Sequence, residues 1–465
     1  MTSSDRLDSL RGEIQHITLD IIRLTGQRRA LAKEVAIEKT QAGIPIRNLE
    51  IENHLRDSVE RLCKTHGFDV SFGINLLNQL ILDSIRLQEK GITSKKAPTV
   101  YDVFVKARAL EKAGKELLHL EVGEPDFGPP EAVMKAIIDA VELRKSKYIE
   151  SAGIFPLREK IASIVSHRNE REISPEEVIV TVSGRFALFQ SIATHVHPGD
   201  EVIIVDPSYP GYSDCVKEVG GKPVHFPTHL NTEWGIDLDL LKEYIIPTTK
   251  AIILNSPCNP TGKVLNLSTL KGIADIASAN DIQIISDEVY SSFSVIQHAS
   301  ILDLPGGNSV LVDSFSKRYG MTGFRLGYAI SDVDTIHRMT QIQNLYVTCG
   351  PEFVQYAGIS ALDCDEDANH YSDTIKKRLE TASRQLERLP LSFHTPEGGF
   401  YIFPELAEGS IDGQVFADRL LSETGVCVVP GAAFGHQYTN FFRLSVCQPE
   451  GKLVEAIERM GAVLE

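Results

Sequence analysis

The chain is poor in the features that mark secreted, membrane-spanning or nucleic-acid-binding proteins. Its 465 residues hold seven cysteines and no Cys-x-x-Cys pair. Their spacing indicates neither a disulfide framework nor a zinc site, and the thiols read as buried or free in a reducing compartment. No apolar run approaches the ~20 residues that span a bilayer, and Met1 to Arg6 lead into no signal-type apolar region. The net charge of −16 leaves no basic surplus to attract polynucleotides or anionic lipid to the chain as a whole. What remains is an acidic chain, long enough for about three domains, expected in the cytoplasm with small molecules as ligands.

The charge is uneven. Residues 1–96 carry 15 Lys and Arg against 13 Asp and Glu, and the remainder carries 32 against 50. With the breaker-rich stretch Gly91 to Pro98, this divides the chain into a near-neutral unit, 1–92, a linker, 93–98, and an acidic body, 99–465.

The body carries an amine, a hydroxyl and a guanidinium in one short segment. Lys317 lies three residues after Ser314 and eight before Arg325. The amine can condense with an aldehyde, while the hydroxyl and the planar guanidinium fork can hold a phosphate dianion. That combination points to pyridoxal phosphate. Two apolar runs, Ala251 to Leu254 and Ile282 to Ile285, read as buried parallel strands, and both end in polar residues. Ligands of open α/β sheets bind beyond the carboxyl ends of strands, so Asn259, Asp287 and Tyr290 should converge on one crevice. Asp287 suits a protonated pyridine nitrogen, and Asn259 and Tyr290 suit the ring's phenolate oxygen. Asn255 reads only as a turn residue before Pro257.

In this order of motifs, residues 99–465 resemble the class I/II aminotransferases of the fold-type I pyridoxal-phosphate enzymes. The resemblance extends to Gly123-Glu124-Pro125-Asp126-Phe127, Lys147-Tyr148, Ser183-Gly184-Arg185, Ser208-Tyr209-Pro210 and Phe442-Arg443-Leu444. It implies that Gly123 supplies backbone to the substrate carboxylate and that Tyr148 reaches the partner subunit's cofactor phosphate. Ser183 and Gly184 would form a phosphate nest at a helix N-terminus. Tyr209 would stack on the cofactor ring, and Arg443 would fork the substrate α-carboxylate. Lys317 would tether the cofactor and, once released, act as base at the substrate α-carbon, giving ping-pong kinetics. Arg185 has two readings, a further phosphate contact or a receptor for a second substrate carboxylate.

The N-terminal unit is helical by periodicity. Leu7, Leu10, Ile14, Ile17, Ile21, Leu24, Leu31 and Val35 follow a heptad seam, which predicts one long helix. Arg28 falls inside that seam, where a cation is costly to bury unless an anion meets it, and Lys39 shares its face three turns on. Arg11 lies on another side. Leu77 and Ile81 lead at helical spacing into Ser84 and Gln88, so two apolar seams are interrupted by polar groups around a cavity with one basic wall. The stretches Ser9-Leu10-Arg11, Gln27 to Ala32, Lys39, Pro45-Ile46-Arg47, Glu52 and Asp83 to Gln88 make residues 5–90 similar to the all-helical chorismate mutases. That resemblance implies three helices per chain interlocked in a dimer, with Arg11 serving the partner's site. Arg11 and Arg28 would bind the substrate carboxylates, Lys39 and Gln88 would donate to the ether oxygen as it gains charge, and Glu52 would accept from the ring hydroxyl. Asn48 and Ser84 would complete the substrate contacts. Asn48 and Ile51 depart from that family's usual acid and arginine.

The expected fold is an all-α domain of the three-helix mutase type followed by an α/β body. The body would have a large, mostly parallel-sheet domain, about 135–345, and a small α+β domain made of 99–134 and 346–465. The expected enzyme is bifunctional and homodimeric. It would rearrange chorismate to prephenate, then transaminate prephenate to arogenate, or a related 2-oxo acid, with glutamate or aspartate as donor. One alternative is an aspartate, alanine or aromatic aminotransferase whose mutase-like domain is inactive and only regulatory or dimerising. Another, a pyridoxal-phosphate-dependent transcription regulator, is opposed by the near-neutral front unit, which has no basic helix-turn-helix. No metal ligands are expected, and His195 and His197 read as surface residues before the Pro198-Gly199-Asp200 turn.

Overall fold

A computed structural model describes residues 3–42, 49–92, 99–305, 308–407, 409 and 411–464. The chain divides into two compact units, 1–97 and 98–465.

The first unit is three helices, α1 (Ser3–Ala42), α2 (Leu49–His66) and α3 (Val70–Ile92). The 40 residues of α1 extend about 60 Å at 1.5 Å per residue. Its heptad seam does not face α3. Leu10, Ile14, Ile17, Leu24 and Leu31 are all exposed, whereas Ala32 and Ala36 are buried. Arg28 lies four and eight residues before those alanines and shares their face. Its Nη1 donates to the Leu80 carbonyl and to the Ser84 hydroxyl of α3. The heptad pattern therefore marks the long helix but not the face that packs against α3 within the chain. Alanine lets two helix backbones approach closely, yet it scarcely registers in a pattern built on large apolar residues.

In the second unit, α4 (Val100–Lys112) leads to a short strand, β1 (Leu118–His119), which pairs in parallel with Val426–Cys427. A seven-stranded sheet follows, built from β2 (Val178–Thr181), β3 (Glu201–Asp206), β4 (Lys222–Pro227), β5 (Thr249–Asn255), β6 (Gln283–Asp287), β7 (Ser309–Ser314) and β8 (Gly327–Ile330). Its spatial order is β2-β8-β7-β6-β5-β3-β4. The central strands are Val/Ile-rich and buried on both faces, as parallel strands covered by crossover helices must be. Leu157, Ile161, Phe226 and Ile273 lie in the core on one face, and Leu188, Ile192 and Val216 lie in that on the other. The sheet is mixed rather than wholly parallel, because β8 runs antiparallel to both neighbours. The segment joining β7 to β8 contains only a four-residue helix and one 3₁₀ turn. That is too little to climb over the sheet, so the chain returns as a hairpin with Ser314 opposite Gly327.

A separate core gathers Leu120 with Phe400, Phe416, Phe442 and Leu453 from the C-terminal part. Among the described residues, no helix is long and apolar enough to cross a membrane.

Candidate active site

Strand ends bring the expected residues of the second unit together. β5 ends in Asn255, β6 in Asp287 and β7 in Ser314, while β2 runs into Ser183. The Ser183 hydroxyl accepts from the Phe186 amide at 3.2 Å and caps the helix Gly184–His195, whose N-terminus points into the crevice's polar end. A cavity of about 550 Å³ lies here. One end is lined by Ser183, Gly184, Arg185, Ser314 and Arg325, and the other by Tyr209, Asn259, Asp287 and Tyr290.

Asp287 is a buried carboxylate that accepts from the Tyr212 hydroxyl at 2.8 Å and from the Val289 amide at 3.3 Å. Burial pushes its pKa up to about 6, against the two hydrogen bonds that favour the charged form. No cation is paired with it among the described residues. A protonated pyridine nitrogen at the cavity end of this carboxylate would supply one. The helix N-terminus, two serines and two arginines at the other end suit a phosphate. The donor set therefore fits pyridoxal phosphate.

Lys317 follows β7 in the short helix Phe315–Arg318, and its Nζ donates to the Gly123 carbonyl at 2.7 Å. Burial lowers its pKa, which favours the neutral amine that nucleophilic and base chemistry require. Gly123 is fixed in type by its surroundings, since a Cβ there would lie 1.7 Å from the Tyr401 hydroxyl. Its loop is anchored by a fork from Arg378 to Asp126, at 2.7 and 3.0 Å, and by Phe127 stacked on Tyr371 at 4.0 Å. Gly320 makes the turn after the lysine at φ 61°, and a Cβ there would sit 2.8 Å from the Phe127 and Gly128 carbonyls.

Arg443 is buried. It donates to Asn259 Oδ1 at 3.0 Å and to the Glu121 carbonyl, and its plane lies over the Tyr401 ring at 4.2 Å. Its Nε has no partner, and no carboxylate pairs with it among the described residues. A preorganised, uncompensated guanidinium is a receptor for an incoming carboxylate.

Sequence reasoning missed three residues of this site. Asn255 is more than a turn residue, because its Nδ2 donates to the Asp287 carbonyl at 2.9 Å and its Oδ1 accepts from the Asn259 amide at 2.7 Å. Tyr212 holds Asp287 and meets Tyr209 edge-on at 5.5 Å. Its place just inside the helix Gly211–Glu218, three residues after Tyr209, was the available signal. Tyr401 meets Tyr290 hydroxyl to hydroxyl at 3.5 Å, and nothing in the local sequence marks it. Arg185 is exposed and lies over the Tyr209 ring at 5.3 Å. Tyr148 is 87% exposed and meets none of these groups. His195 is the last residue of its helix and half-buried rather than superficial, with Nδ1 against the Ser191 carbonyl at 2.9 Å.

Residues 115–460 match the family Aminotransferase class I and II. The chain belongs to that family. The aminotransferase is 36% identical to an aspartate aminotransferase of Pyrococcus abyssi, over 75% of this chain and 92% of the relative. It is also 36% identical to a probable aspartate/prephenate aminotransferase of Thermus aquaticus, over 78% of this chain and 96% of the relative. Among solved structures it resembles the aspartate aminotransferase of Thermus thermophilus with maleate, with a TM-score of 0.76 at 33% identity, covering 80% of this chain and 98% of that one. Members of the family depend on pyridoxal phosphate, and the chain is a transferase of that class. Residues 10–89 match Chorismate mutase type II, so a mutase domain precedes the aminotransferase.

In the mutase domain, Arg28 and Ser84 are in direct contact and both are half-buried. Burial lowers the Arg28 pKa, against the attraction of Asp83. Lys39 stands in the last turn of α1, and Arg11 is exposed. Asn48 lies outside the described residues, as do linker 93–98 and the side chains of Glu52 and Gln88.

Proposed function

We propose that this chain rearranges chorismate to prephenate in its N-terminal unit and transaminates prephenate, or a closely related 2-oxo acid, in its C-terminal body. The two activities belong to residues 1–92 and 99–465, the latter with a large domain at about 135–345. The observation that carries the reading is Arg443, a buried guanidinium with an unpaired Nε, on the same chain as a mutase domain whose product is a 2-oxo acid. Bound pyridoxal phosphate supplies an electron sink for the substrate α-carbon.

The chain's own residues do the rest. Arg443, steadied by Asn259 and the Glu121 carbonyl, takes the α-carboxylate. Lys317, turned by Gly123 and left easily deprotonated by burial, moves the α-proton. Asp287 balances the ring cation, and Tyr290 and Asn259 donate to the ring oxygen. Ser183, Gly184, Ser314 and Arg325 hold the phosphate. Arg185 lines the phosphate end and stacks on Tyr209, which supports a phosphate role over a second carboxylate receptor. In the first unit, Arg28 and Ser84 form part of a polar wall for a dicarboxylate, which Lys39, Gln88, Glu52, Asn48 and the partner's Arg11 complete.

Glutamate or aspartate serves as donor, and the working form is a cytoplasmic homodimer. Supplying purified protein with chorismate and glutamate tests the whole reading. Arogenate accumulates if both sites act in series. Its absence, with chorismate untouched and transamination of aspartate intact, would overturn the bifunctional assignment.

A further inference from the structure

Away from the cavity, one cluster of side chains has no part in the reaction just described. β1 pairs in parallel register with Val426–Cys427, placing His119 directly beside Cys427. Glu121 is two residues beyond His119, and in extended chain that puts it on the same side. Imidazole, carboxylate and thiol are thereby assembled by strand geometry, with their ligand atoms all within 4.8 Å of one another. Glu121 is fully buried, and its Oε2 has no hydrogen-bond partner. Its Oε1 lies 2.7 Å from His119 Nδ1, and the other ring nitrogen, Nε2, is held by Glu111 of α4 at 2.9 Å. Cys427 sits in an apolar shell with Ala107 and Leu421 and forms part of the wall of a neighbouring cavity of about 570 Å³.

We propose that His119 Nδ1, the Glu121 carboxylate and Cys427 Sγ bind one borderline-soft divalent metal ion of the Zn²⁺ class, with water as fourth ligand. Tetrahedral zinc, with bonds of about 2.0–2.3 Å, holds its ligand atoms roughly 3.3–3.7 Å apart, so the widest separations need to close by about 1 Å and the 2.7 Å Nδ1–Oε1 contact to open by a similar amount. The mixed N, O and S donor set excludes Mg²⁺ and Ca²⁺, which take oxygen alone. Glu111 supplies the outer carboxylate that fixes a metal-bound histidine, and the ion takes the place of the proton between Nδ1 and Oε1 while the thiol gives up its own. The unpaired Oε2 gains a partner. The ion would tie β1 to the C-terminal strand beside it. It would lie one peptide from the carbonyl that holds Arg443, outside the reacting centre.

The full-length, cofactor-loaded protein is stripped with a chelator, given ZnCl₂ and passed through gel filtration, and retained metal is measured. One equivalent per chain is expected. His119→Ala and Cys427→Ser should each weaken retention at least tenfold, and Glu111→Gln by roughly 10–100-fold while leaving one equivalent at saturation. Adding Cd²⁺ to the wild-type protein should raise an ultraviolet thiolate-to-metal band, a readout that needs no variant to fold. Absence of retained zinc and of that band would leave His119 as an imidazolium clamped between two carboxylates and overturn the proposal. Equal retention by Cys427→Ser would do the same.

Discussion

Asn255 ties the ends of two elements with one amide, through the Asp287 carbonyl and the Asn259 amide. Replacing it by Ala strands the Asn259 amide and leaves the Asp287 carbonyl with only the Ser256 amide at 3.2 Å, and losing such a buried partner costs about 1–3 kcal/mol. Asn255→Ala should therefore unfold at lower urea and bind cofactor more weakly, which a denaturation curve and a cofactor titration would both register. The Asp287 carboxylate gives a pH signature. Its pKa is raised to about 6 in the free protein, above the usual 3.8, so the fold holds that proton where the unfolded chain has lost it. Its contribution to stability is thus lost as pH rises from about 4 to 6. A ring cation beside it reverses the preference, so cofactor affinity should increase on raising the pH through about 6, and a flat profile would remove Asp287 from the site. Lys317→Ala should abolish transamination and spare mutase turnover. Lys317 and Asp287 were readable because each puts a charge at or just beyond a strand end in a motif whose spacing suits one chemistry, and Arg443 only through the family resemblance. Asn255, Tyr212 and Tyr401 were not, since each acts through a neighbour distant in sequence that only the folded sheet supplies.

At the scale of elements, α1 shows how far a periodic pattern can be trusted. Its length and helical character follow from the apolar repeat, but the repeat selected the face that stays exposed, while Arg28 packs with Ala32 and Ala36 toward α3. Removing the guanidinium takes a donor out of the proposed mutase site and leaves Ser84 and the Leu80 carbonyl without it. Arg28→Ala should lower chorismate turnover at least ~10²-fold. Transamination by the same preparation should be unchanged, and loss of both activities would instead indicate global unfolding. The parallel core strands were readable as short Val/Ile runs. The reversed direction of β8 was not, because four buried residues look the same in either sense and only the brevity of the connection decides.

For the whole molecule, the exposed row on α1 and the exposed Tyr148 lie in different compact units, and the apolar row is costly to leave in water. Self-association would cover both. Sedimentation at micromolar concentration should return at least twice the chain mass, and Ile17→Asp should weaken assembly through the mutase unit. A monomeric wild type would contradict the proposed dimer. The charge difference and the breaker-rich stretch Gly91 to Pro98 together pointed to two units, whereas the small core around Leu120 and Phe442 was foreseen only through the family resemblance, since nothing local joins segments more than 300 residues apart.

The hairpin that reverses β8 also restricts how this enzyme can change. Lys317 and Arg325 share one loop whose two ends are locked opposite each other at Ser314 and Gly327. Lengthening that loop by a single codon would shift the amine or the guanidinium or slip the pairing, so insertions and deletions should be purged there and tolerated in surface connections elsewhere.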